Sequence, residues 1–195
     1  MFKIKNPLFF ILAFCMASIV ALSNYLVQFP VNYYGFQDIF TYGAFTYPVA
    51  FLITDLTNRR YGKYIARKIV YIGFILGIFL TLYFSTDFTN LISKRIAVGS
   101  GSAFLIAQLL DVYIFNQLRK KTWFIAPLTS SIIGSTVDTF LFFSISFYGT
   151  GINWVTLSIG DLFVKVLVAL GMLIPFKILL TSVKEATTIK KKINA

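Results

Sequence analysis

Apolar residues run through this chain in six long stretches, separated by short segments where charged and turn-forming residues concentrate. The stretches are residues 8–29, 36–54, 69–86, 96–118, 122–148 and 155–176. Each is near the ~20 residues with which an α-helix crosses a hydrocarbon layer about 30 Å thick. The first is uncharged, the fourth is interrupted by Asp111, the fifth by Asp138, and the last holds Asp161 and Lys165. The pattern predicts an all-α integral membrane protein, a single domain over residues 1–195 built as a bundle of six transmembrane helices. No linker, low-complexity tract or second domain interrupts it.

Composition agrees. The 195 residues are 57% hydrophobic and 13% charged, where a soluble domain averages about 45–50% and 25%. So much apolar surface cannot be hidden in a soluble fold of this size, so lipid must serve as part of the solvent. Lys3 and Lys5 ahead of the first stretch, with Ala17 and Ala21 inside it, resemble a secretory leader. The apolar run, however, continues to Phe29 and exceeds the ~7–15 residues of a leader's apolar region, which predicts a retained helix.

The net charge of +11 would suggest nucleic acid in a soluble protein. The placement of the 18 basic residues points elsewhere. Lys3 and Lys5 precede the first stretch. Arg59, Arg60, Lys63, Arg67 and Lys68 follow the second, and Arg119, Lys120 and Lys121 follow the fourth. Lys177, Lys184, Lys190, Lys191 and Lys192 follow the sixth. Only Lys94 and Arg95 fall on the opposite side. By the positive-inside rule both termini are expected in the cytoplasm, as an even number of spans also requires. No aromatic-interleaved basic surface accompanies these residues, so direct nucleic-acid binding is not expected.

Several chemistries are excluded. The chain has no histidine and one cysteine, Cys15, which removes Ser–His and Cys–His nucleophiles, internal disulfides and zinc sites. Gly62-Lys63 is followed by Tyr64, and Thr57 occupies the required upstream glycine position, so there is no nucleotide-binding loop. The Gly-x-Gly-Asp pattern of intramembrane aspartyl proteases fails at Ser158. No catalytic residue, metal ligand or cofactor is expected.

What remains is a set of polar groups that lipid should not tolerate. An ionised Asp at a helix centre costs about 2.5–3.5 kcal/mol on insertion scales, so each needs a partner or a polar cavity. Asp111 shares a face with Gln108; Ser131, Ser135 and Asp138 form a stripe; Asn24 and Gln28 lie one turn apart. Neither Asp111 nor Asp138 has a basic residue within four positions, which favours a cavity role. Asp161 and Lys165, at i and i+4, are placed to neutralise each other, so loss of Asp161 is expected to leave Lys165 unpaired. Asp55, beside Asn58, Arg59 and Arg60, reads as part of a charge cluster at the cytoplasmic end of the second helix. The candidate substrate-binding residues are therefore Asp111, Asp138, Gln108, Asn24, Ser135, Asp161 and Lys165. An acidic cavity suits a cation or a neutral molecule rich in N–H donors, because a carboxylate accepts two parallel N–H bonds.

The run Ser23-Asn-Tyr-Leu-Val-Gln28 with Pro30-Val31 resembles the first helix of the bacterial queuosine-precursor transporters, a vitamin-uptake-transporter family. So do Gly43-Ala-Phe-Thr-Tyr-Pro48, Thr54-Asp-Leu-Thr57, Arg95-Ile-Ala97 and Gln108-Leu-Leu-Asp-Val-Tyr-Ile-Phe-Asn116. Trp123, Ala126-Pro127, Asp138-Thr139, and Asp161 with Lys165-Val166 complete the match, in order along nearly the whole chain. The resemblance implies import of 7-deazaguanine precursors of queuosine, the modified tRNA base. It also implies a six-helix fold similar to the substrate-binding subunits of energy-coupling-factor transporters, set in the bacterial inner membrane. Its partners would be the bilayer and a purine-like substrate. A separate energising subunit is compatible with the sequence but not implied; proton coupling and passive flux are equally open. The charge bias makes one direct prediction: reporter fusions at Lys120 and at Thr150 report opposite compartments, and agreement between them would overturn the six-span reading.

Overall fold

A computed structural model describes residues 7–33, 39–84 and 86–182. They form six helices: α1 (Pro7–Leu26), α2 (Gly43–Tyr61), α3 (Lys63–Phe84), α4 (Leu91–Leu118), α5 (Ile125–Phe147) and α6 (Trp154–Ser182). No strand occurs among the described residues; a single bridge between Pro30 and Thr41 closes the α1–α2 connection.

Five of the six helices, all but α2, are long and apolar enough to cross a membrane. The exception is the central one. α2 packs against all five others, and ten of its 19 residues are buried, among them Thr54, Asp55, Thr57 and Asn58. A helix sheathed by protein finds hydrogen-bond partners in its neighbours, so it need not be apolar all round.

That position explains why the second segment differs from its expected span of 36–54. The helix begins at Gly43 and continues to Tyr61; residues 36–38 lie outside the described residues. Hydropathy breaks off at Asp55, whereas the helix runs on because Thr54, Asp55 and Asn58 bond to α4 and α5. It stops at Gly62, whose φ of 84° is a left-handed conformation that glycine adopts without a Cβ penalty. The Gly62 N–H caps the Asn58 carbonyl at 2.8 Å, and α3 starts at the next residue. The other five helices coincide with the predicted stretches, extending by up to six residues into their polar flanks.

Apolar side chains join the helices in three clusters. Met16, Val20, Tyr47, Ala50, Ile69, Val70, Phe104 and Val112 unite α1 to α4. Val27, Ile96, Ala103, Phe142 and Phe143 close the end where α1 finishes. Phe115, Ala126 and Phe176 close the opposite end, the two phenyl rings meeting edge to face at 6.3 Å. At that end, which carries the basic connections, the Arg59 guanidinium donates to the Arg119 carbonyl at 2.7 Å and Arg119 donates to the Arg59 carbonyl at 3.1 Å. The α1–α2, α3–α4 and α5–α6 connections gather at the other end.

There the α1–α2 connection rests on α6. A Cβ added at Gly160 would overlap the backbone carbonyl of Ile39, which cannot rotate away. Gly160→Ala is expected to lift this connection and destabilise the protein by about 1–3 kcal/mol. The measurement is the thermal midpoint in detergent, and an unshifted midpoint would show that the connection does not depend on this contact.

Candidate functional site

Polar side chains occupy three levels of the bundle. In the middle level, α5 supplies Asp138 and Thr139, α6 supplies Asp161 and Lys165, and α2 supplies Tyr47. The Lys165 ammonium lies 2.6 Å from Asp161 Oδ2 and 3.0 Å from Asp138 Oδ2, and donates a third bond to Thr139 Oγ1 at 3.0 Å. An ammonium has three hydrogens, and all three are engaged. Thr139 donates onward to Asp161 at 3.0 Å, and the Tyr47 ring covers the ammonium at 4.9 Å, a geometry that attracts a cation to the π face. The cluster carries two acids for one base. Asp138 Oδ1 has no donor among the described residues.

Tyr47 extends this level toward α1 and α3. Its hydroxyl donates to Asn24 Oδ1 at 3.2 Å, and the Asn24 amide donates to Thr81 at 2.9 Å. Asn24 is 0% exposed, so its polar atoms are satisfied by protein.

The second level lies toward the basic end. Thr54 of α2 donates to Gln108 Oε1 at 2.6 Å, and Asn58 donates to the Val112 carbonyl at 3.0 Å. Between these bonds the carboxyl of Asp55 faces that of Asp111 within hydrogen-bonding reach. Ser130 and Ser131 of α5 donate to Asp55 at 3.3 and 3.5 Å. Ser130 lies near both carboxyls, its hydroxyl within reach of Asp55 and of the Pro127 carbonyl, and neither oxygen of Asp111 receives a bond from a described N–H or O–H.

The third level is a cavity of about 690 Å³ at the opposite end, bounded by Gln28, Thr41, Asn90, Ser93, Asn153 and Thr156 and by apolar walls that include Val27, Pro30, Ile96 and Phe147. No charged side chain among the described residues lines it. Asn90 accepts from the Ile92 and Ser93 N–H groups, starting α4, and Asn153 accepts from Thr156 N–H. Each asparagine thus spends its oxygen on a helix start, where Asn is favoured, and keeps its NH2 as a donor. The Thr41 hydroxyl is buried with no partner among the described residues. Nearby, in the α3–α4 connection, the Thr89 hydroxyl and N–H hold the Asp87 carboxyl below its ordinary range, so it is ionised at neutral pH. The cavity's size lies within the ~300–1,000 Å³ of small-molecule sites. Its floor is one helical turn from the middle level: Gln28 donates to the Asn24 carbonyl at 3.3 Å, and Leu157 precedes Asp161 by four residues.

The sequence-derived residues therefore divide. Asp138, Asp161 and Lys165 are brought together, and Asn24 joins them through Tyr47. Gln108 and Asp111 belong to the second level, while Ser135 is buried with no partner for its hydroxyl. Two expectations are corrected. Asp138 is not unpaired, because α6 presents Lys165 to it. Asp55 does not belong to a surface charge cluster: it is 1% exposed, its partners are on α4 and α5, and Arg59 turns instead to the Arg119 carbonyl. Sequence reasoning also missed Tyr47 and the cavity-lining asparagines. The i, i+4 spacing of Thr54 with Asn58, matching Gln108 with Val112, was the one available sign that α2 carries a polar face. No group of three Asp, Glu, Cys or His side chains among the described residues is arranged to hold a metal ion.

Residues 41–180 match a family described as "Putative vitamin uptake transporter". The chain is 34% identical over 197 residues to the "Queuosine precursor transporter" of Escherichia coli (strain K12), a similarity covering 91% of this chain and 88% of that protein. It is 34% identical over 195 residues to the "Probable queuosine precursor transporter" of Haemophilus influenzae, covering 84% of this chain and 82% of the relative. A Bacillus subtilis protein of the same description is 30% identical over 132 residues, covering 56% of this chain and 57% of that protein. No solved structure matches the chain at a significant level.

The middle level reorders the expected damage from mutation. Asp138→Asn and Asp161→Asn each leave Lys165 one carboxylate, whereas Lys165→Met strands two buried acids, a loss of about 3–5 kcal/mol. Membrane abundance and thermal midpoint should therefore fall most for Lys165→Met. If Asp161→Asn proves as damaging, Asp138 does not compensate for it.

Proposed function

The chain belongs to the vitamin-uptake-transporter family, and on that premise we propose that it imports 7-deazaguanine precursors of queuosine across the bacterial inner membrane. The observation that carries the reading is its similarity, over 91% of its length, to a relative named for that cargo. Membership places it among transporters and not among enzymes.

The geometry supports such a cargo. A 7-deazaguanine is flat, with a carbonyl on one edge and adjacent N–H donors on its pyrimidine side. The cavity offers NH2 donors from Asn90 and Asn153, the Thr41 hydroxyl, and apolar walls on which a ring can lie. Beneath it, Asp138 Oδ1 is an unused acceptor suited to N–H donors. We assign the first encounter to the cavity. The path then leads past Asn24, Asp138, Asp161 and Lys165, and on past Ser135, Gln108 and Asp111 to the basic end.

The remaining topology belongs to the same proposal. α2 counts as the sixth span, its polar face covered by neighbours, and the basic end with both termini faces the cytoplasm. The six-helix arrangement resembles that of energy-coupling-factor binding subunits.

In cells that neither make queuosine precursors nor possess another importer, expression of this chain with supplied 7-deazaguanines should restore queuosine in tRNA. An analogue lacking the exocyclic 2-amino group leaves a buried acceptor unsatisfied, at a cost of about 1–3 kcal/mol. It should compete about ten-fold less well or worse. Absence of restored modification, with the protein present in the membrane, would discard the cargo assignment.

A further inference from the structure

Asp55 and Asp111 play no part in the ion cluster around Lys165, yet among the described residues they are the acids nearest the basic end. Both are at most 1% exposed. They approach from different helices, α2 and α4, within hydrogen-bonding reach of each other. Two carboxylates are both acceptors and cannot bond; one hydrogen must lie between them. No positive charge among the described residues substitutes for that hydrogen. Among the described residues the ion pairs are those of Lys165. α5 faces the pair with the Ser130 and Ser131 hydroxyls, and no group of α1, α3 or α6 acts on either carboxyl.

Two further features bear on how a proton could reach the pair. A crevice of about 10 Å³ between α2, α5 and α6 has Asp55 and Ser131 on its wall, room for about one water molecule. Pro48 and Pro127 line the same crevice. Pro48 lies inside α2, about two turns before Asp55, where the missing N–H weakens the helix and lets it bend.

We propose that Asp55 and Asp111 form a proton-held latch that keeps α2 against α4 and closes the basic end, and that opening of this end releases the proton. With the proton in place, the Thr54–Gln108 and Asn58–Val112 bonds flank a neutral pair and the helices stay packed. Without it, two like charges face each other in a medium of low dielectric, and α2 swings from α4 about Pro48. The cavity at the far end is open while the latch is shut, as alternation between two sides requires. This inference rests on the transport reading, but its first test needs no cargo.

In a Cys15→Ala background, Ala169→Cys places a thiol on the α6 wall of the crevice. Its alkylation rate in purified protein is compared between chains with and without Asp55→Asn, whose amide can donate to Asp111 and hold the latch at any pH. The ratio at each pH cancels the thiol's own ionisation. From mildly acidic to mildly alkaline pH the ratio should rise several-fold, and Asp111→Asn should suppress the rise as Asp55→Asn does. A constant ratio with either variant overturns the latch. In proteoliposomes, raising the pH on the side of the basic end should speed uptake of a 7-deazaguanine by the parent protein and not by Asp111→Asn. A pH-dependent ratio without uptake would uphold the latch and remove the cargo reading; uptake with equal pH response in both would do the opposite.

Discussion

An ammonium ion inside an apolar bundle is tolerable only when each of its hydrogens is taken, and that requirement fixes how three helices meet. Lys165 satisfies it with Asp138, Asp161 and Thr139, and lays its remaining face on the Tyr47 ring. Asp161 is a neighbour on its own helix, but Asp138 and Thr139 come from α5 and Tyr47 from α2. A rotation of α6 by one residue, about 100°, would strand the charge. The helix register is thereby specified in a way that interchangeable apolar contacts between α5 and α6 could not achieve. Through Tyr47 and Asn24 the same constraint reaches Thr81 on α3.

The same logic explains the polarity of α2. Thr54, Asp55 and Asn58 find their partners on α4 and α5, Thr57 bonds back to its own helix, and the five surrounding helices supply the apolar surface that α2 lacks. Lipid sees the ring, and the ring sees a polar axis. On the transport reading proposed above, such an axis is the route for polar cargo.

How much of this could be read from residues alone follows from the range of each interaction. Long apolar runs report helices directly, so α1 and α3 to α6 were legible. The Asp161–Lys165 pair was legible because helical spacing fixes it. Asp138 was not: its partner lies 27 residues away on another helix, and spacing along one helix says nothing of the rotation of the next. Asp55 was misread because Arg59 and Arg60 follow it, and hydropathy scores a residue without knowing what covers it. The cavity was invisible for a further reason. Asn90 and Asn153 look like ordinary helix starts, and they are; the donors they retain become a site only when three connections converge.

The crossed bonds of Arg59 and Arg119 carry a last consequence. Each guanidinium seals the carbonyl end of the other's helix, where a cation also complements the helix dipole. The same two side chains thus stop α2 and α4 from fraying and tie their ends together. Replacing either side chain by alanine therefore unseals the end of the other helix and not of its own.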